Sequence, residues 1–139
     1  MTALDRACEI LFDEQATCVV ISGDDAYISH ERGVKPLLKL LDEKRYVGGA
    51  SAADKVVGKA AAMIYVLLGI KELHAYVISS LAVEFLEAHN VSVRYDKLVP
   101  MIRNRTDTGF CPMEQATKDI NEPNEALLAI RKRLSELEK

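Results

Sequence analysis

The chain has 139 residues, 49% hydrophobic and 28% charged, which suits one domain with its own core spanning 1–139. A net charge of −3 without a long basic block excludes a dedicated nucleic-acid binder, whose affinity rests on neutralising phosphates. The run from Ala60 to Ile70, between Lys59 and Lys71, is far shorter than the roughly 20 residues of a membrane helix, so no membrane partner is expected.

In chain order, Leu4, Ala7, Cys8, Leu11 and Phe12 recur at helical spacing and predict a helix over 3–14. Residues 17–22 form a β-branched run that reads as a buried strand. Gly23-Asp24-Asp25 turns it into a partner strand over 26–29. Residues 34–43 predict an amphipathic helix with Pro36 in its first turn. After Gly48-Gly49 the spacing of Ser51 and Asp54 matches a capping box, so a helix over 52–68 is expected, stopped by Gly69. Residues 72–78 read as a strand and 81–89 as a helix started by Ser79-Ser80 and ended by Asn90. Residues 91–95 alternate as a strand, and 96–103 read as a short helical turn interrupted by Pro100. An irregular segment over 104–110 follows. Cys111-Pro112 then starts a helix to about 120, and Glu122-Pro123-Asn124 a last one to about 137. A hairpin followed by strand–helix–strand crossovers predicts an α/β fold in three αβα layers with a mixed sheet.

The candidate chemistry clusters at helix starts. On the expected 52–68 helix, Lys55 and Lys59 share a face near free N–H groups, an arrangement that suits an anion. Lysines at a helix end also simply reach solvent. Cys111, placed before Pro112, has an N-cap position that lowers a thiol pKa, although Glu114 nearby opposes the thiolate. A plain cap and tight turn explains the same pattern. Asn104 and Arg105 lie in the densest polar cluster, which suits phosphate or carboxylate as readily as it suits an ordinary loop. His30, His74 and His89 lack metal-ligand spacing, and Cys8 and Cys18 sit on apolar patterns expected in the core. Three cysteines without framework spacing, and no basic-then-apolar leader over Met1–Arg6, predict a cytoplasmic protein.

Five segments carry a resemblance: residues 32–38 (RGVKPLL), 53–62 (ADKVVGKAAA), 95–100 (YDKLVP), 104–106 (NRT) and 111–114 (CPME). Over about residues 5–126 the chain resembles the family called domain of unknown function 1893. The resemblance implies a cytidine-deaminase-like fold with a mixed five-stranded sheet, and no settled activity. Zinc deaminases carry His/Cys-x-Glu at one helix start and Pro-Cys-x-x-Cys at the next. At the expected starts this chain has Ala53-Asp54-Lys55 and Ser79-Ser80-Leu81-Ala82-Val83, with no cysteine or histidine to ligate zinc. No metal and no cofactor are therefore expected.

Three functions follow as expectations. The first is a zinc-free protein that binds a small anionic metabolite, such as a nucleotide or nucleotide-sugar. Its pocket would comprise Ser51, Lys55, Lys59 and Ser80, walled by Asn104 and Arg105. The second is an enzyme of another class, with Cys111 as nucleophile or Asp54 and Glu114 as acid–base groups. The third is a non-catalytic interaction or scaffold protein, assembling as a homo-oligomer through its C-terminal helix.

Overall fold

The computed structural model describes residues 2–31, 33–43, 48–102 and 112–137. Helix α1 (Ala3–Asp13) opens on a reciprocal capping box: the Asp5 N–H donates to Thr2 Oγ1 at 3.1 Å, and the Thr2 N–H to the Asp5 carboxylate at 3.2 Å. Leu4, Ala7 and Leu11 face inward. Strands β1 (Cys18–Ser22) and β2 (Asp25–Ser29) form the expected antiparallel hairpin around Gly23, whose positive φ of 59° suits glycine. Helix α2 (Lys35–Asp42) carries Pro36 in its first turn and buries Leu37, Leu38 and Leu40.

The central segment departs from expectation. Residues Ser51–Val57 are strand β3, and helix α3 begins only at Lys59 and runs to Leu68. Ser51 and Asp54 therefore form no capping box; the Ser51 hydroxyl donates to the Glu72 carboxylate, and Asp54 accepts from the Val56 N–H. The reason is tertiary. β3 is hydrogen-bonded on both sides, antiparallel to β1 and parallel to β4, and Ser51–Asp54 are buried. A strand buried on both faces loses the polar alternation that marks strands in sequence, and its alanines carry high helix propensity.

Strand β4 (Glu72–Ser79) passes directly into helix α4 (Ser80–Ala88), whose N-cap is Ser79 rather than Ser80; its Oγ accepts from the Ala82 N–H at 3.2 Å. Asn90 adopts the expected positive φ of 63° just past the helix. Strand β5 extends over Ser92–Val99, so the helical turn expected over 96–103 is wrong for its first half. Asp96 and Lys97 broke the apolar pattern because β5 is a sheet edge, where both faces reach solvent. Helices α5 (Pro112–Thr117) and α6 (Pro123–Leu137) end the described chain.

The sheet order is β2-β1-β3-β4-β5, with β1 antiparallel to both neighbours and β3, β4 and β5 parallel. Val19, Ile21 and Ala53 point to α1, while the alternating Cys18, Val20 and Ala52 point to the opposite cluster. In that cluster α3 packs against α2, α4, α5 and α6. The expected three layers are therefore present, one thin and one thick. Among the described residues no helix is long and apolar enough to cross a membrane.

Candidate functional site

Parallel pairing aligns Val57 with Ile78 and Ser79 with Val99, so β3, β4 and β5 end side by side. Both crossover helices start at this edge, α3 after Gly58 and α4 after Ser79. Such an edge is where open α/β sheets bind ligands, and the first-turn N–H groups attract negative charge.

The start of α3 is already held by a carboxylate of the chain itself. Glu114, on α5, is 1% exposed; its Oε2 accepts the Lys59 N–H at 2.5 Å and its Oε1 accepts the Ile102 N–H at 3.4 Å. A Cβ on Gly58 would overlap that Oε2 and stand 3.2 Å from Ile102 Cγ1. Glycine at 58 thus makes room for the carboxylate. Its φ of −95° is open to any residue, so space and not conformation selects it.

Lys59 is equally committed. It is 4% exposed, and its Nζ donates to the Lys118 carbonyl at 2.8 Å and to Asn121 Oδ1 at 2.9 Å. Burial pulls its pKa down, and the carboxylates of Asp119, Glu114 and Glu84 pull it back up. Lys59 and Glu114 together fasten the α5–α6 segment onto α3.

A second polar group lies deeper. Tyr65 on α3 donates its hydroxyl to Asp54 Oδ2 at 2.7 Å and stands 3.3 Å from Cys18 Sγ. Burial raises the Asp54 pKa to about 7, opposed by hydrogen bonds from Tyr65 and the Val56 and Lys55 backbone. Burial likewise raises the Tyr65 and Cys18 pKa values. This makes Cys18 the inert core thiol that its strand suggested.

The structure brings Lys59, Glu114 and Ser80 to one sheet edge, where the Ser80 hydroxyl donates to the Val99 carbonyl at 3.4 Å. It does not bring the other expected residues there. Ser51 lies at the opposite end of β3, and Lys55 is exposed on β3, sharing no helix face with Lys59. Asp54 faces Tyr65, six residues or about 9 Å along α3 from the amide that Glu114 holds, and each of the two carboxyls is buried against its own partners. Cys111, Asn104 and Arg105 lie outside the described residues. Sequence reasoning missed Gly58, Tyr65 and Asn121; only Gly58, placed before an apolar helix, left a local trace. Among the described residues, no three His, Cys, Asp or Glu side chains gather as a metal site.

The family described as domain of unknown function (DUF1893) matches residues 6–134. A crystal structure of a DUF1893 family protein from Thermotoga maritima is 29% identical, with a TM-score of 0.83 over 96% of this chain and 89% of that one. No curated protein matches the chain. The match across nearly the whole α/β domain, sheet and both helical layers included, means that the chain belongs to the DUF1893 family.

Proposed function

We propose that this chain is a zinc-free, non-catalytic protein of cytidine-deaminase-like fold that works through assembly rather than turnover. The mixed sheet with two crossover helices starting at one edge supports the fold. The residues at those starts, Gly58-Lys59-Ala60-Ala61 and Ser79-Ser80-Leu81-Ala82-Val83, supply no nitrogen or sulfur side-chain donor suited to zinc, since the Lys59 ammonium has no lone pair to give and is engaged elsewhere. The observation that carries the reading is the buried Glu114 carboxylate, which holds the position a ligand's anion would take.

A second reading keeps the small anionic metabolite, a nucleotide or nucleotide-sugar. It is supported by the same contact, since a helix start that accepts one carboxylate suits another anion that displaces it. A thermal-shift panel of nucleoside mono- and diphosphates, nucleotide-sugars and inorganic phosphate separates the two. Assembly predicts no stabilisation beyond that of matched chloride. A ligand binding the folded state adds about 2.7 kcal/mol at hundredfold excess over Kd. A rise of that size, larger in Glu114→Gln, would overturn the first reading in favour of the second.

A further inference from the structure

Strand β5 is the edge of the parallel half of the sheet; among the described residues it pairs only with β4, and Arg94 through Leu98 are all exposed. Edge strands usually carry charges that deter strangers. Here the charges alternate in sign: Arg94 and Asp96 share one face, with Tyr95 between them on the other.

Their geometry is fixed by one side chain. Arg94 Nε donates to His74 Nδ1 at 2.8 Å, and His74 Nε2 lies 3.3 Å from Asp96 Oδ1. Arg94 Nη2 reaches Asp5 at 3.6 Å and Cys8 Sγ at 3.7 Å. Among the described residues, Arg94 Nη1 and Asp96 Oδ2 remain without partners, on side chains that are 50% and 61% exposed.

We propose that β5 pairs antiparallel with β5 of a second copy, about a two-fold axis through Tyr95, giving a continuous ten-stranded sheet. Symmetry limits the register, and charge complementarity selects within it. A two-fold that joins antiparallel edges stands perpendicular to the sheet and keeps each residue on its own face, so it passes through a residue pair of equal number. An axis at Arg94, Asp96 or Lys97 sets like charges directly opposite, which destabilises a cross-strand pair. The axis at Tyr95 sets Arg94 opposite the second copy's Asp96 and Asp96 opposite its Arg94. The unpartnered Nη1 and Oδ2 atoms then meet twice, and the two Tyr95 rings, each 42% exposed, meet on the other face. Strand addition at an open edge supplies the main-chain hydrogen bonds. The inference rests on the assembly reading above and names its partner.

Sedimentation equilibrium over a wide concentration range tests it. Wild type approaches the mass of two chains. Arg94→Asp leaves acids at both positions and Asp96→Arg leaves bases, so each variant alone dissociates at least about tenfold more readily. Mixed one to one, the two variants restore the dimer, because every cross-strand pair is again of opposite sign; circular dichroism verifies that each is folded. As an independent readout, Tyr95→Cys places two cysteines opposite each other with Cα atoms about 4.5–5.5 Å apart, within reach of a disulfide. Lys97→Cys places them ~14 Å apart along the strand. Mild oxidation should therefore cross-link the first far faster than the second. A monomeric wild type, a dimer indifferent to both charge reversals, or equal cross-linking of the two cysteine variants overturns the proposal. A ligand found in the thermal-shift panel would overturn the assembly reading without altering these masses, so the two failures are distinguishable.

Discussion

Gly58→Ala isolates the contact on which the reading of the site depends. The new methyl group would occupy the space of Glu114 Oε2 and press on Ile102 Cγ1 at 3.2 Å. Either the carboxylate leaves the Lys59 N–H or the backbone shifts to admit both. The first loses a hydrogen bond to a charged group, about 1.5–3 kcal/mol, and the second is overpacking, about 1–3 kcal/mol. Because Glu114 is 1% exposed, a displaced carboxylate finds no water to replace its donors. A net loss of about 2–4 kcal/mol follows, which in a chain of 139 residues lowers Tm by roughly 7–14 °C. Urea unfolding followed by circular dichroism measures it, with unchanged m confirming that stability alone has moved. The decisive comparison is the same substitution in a Glu114→Ala background. There the carboxylate is gone and only the Ile102 Cγ1 contact at 3.2 Å remains, while alanine's poorer N-capping and its smaller unfolded-state entropy offset each other to within about 1 kcal/mol. Wild-type stability for Gly58→Ala, or an equal loss in both backgrounds, would refute the argument that Glu114 fills the start of α3.

Two further predictions concern the buried polar groups. The folded Asp54 pKa of about 7 stands above its ordinary 3.8, so between those values the native state holds a proton that the unfolded state has released. Stability therefore falls as pH rises from about 4 to 7 and levels off above, by an amount on the order of 4 kcal/mol from this residue. Asp54→Asn keeps an acceptor for Tyr65 and should flatten that part of the profile; an unchanged slope would remove Asp54 as its source. Lys59→Ala forfeits two charge-assisted hydrogen bonds and should cost about 2–3 kcal/mol, whereas Lys55→Ala, on an exposed strand position, should stay within about 0.5 kcal/mol of wild type. Denaturant melts of the pair decide this, and equal effects would return Lys59 to a surface role.

Wherever local chemistry and burial agreed, residues alone determined the outcome. The hairpin at Gly23, α2 with Pro36, the positive φ at Asn90, the glycine stop at Gly69 and the burial of Cys18 all follow from turn chemistry or one-sided patterning. Tertiary structure decided the rest. Ser51–Val57 became a strand because β1 and β4 flank it on both sides, a fact invisible to a sequence whose alanines favour a helix. The same environment turned the supposed capping pair Ser51 and Asp54 into separate partners of Glu72 and Tyr65. The site followed the same rule. Glu114 lies 55 residues from the amide it holds and Asn121 lies 62 from Lys59, and no local pattern reports such separations. A helix start advertises an appetite for negative charge in its own sequence, but only the folded chain shows whether a ligand or a distant side chain satisfies it.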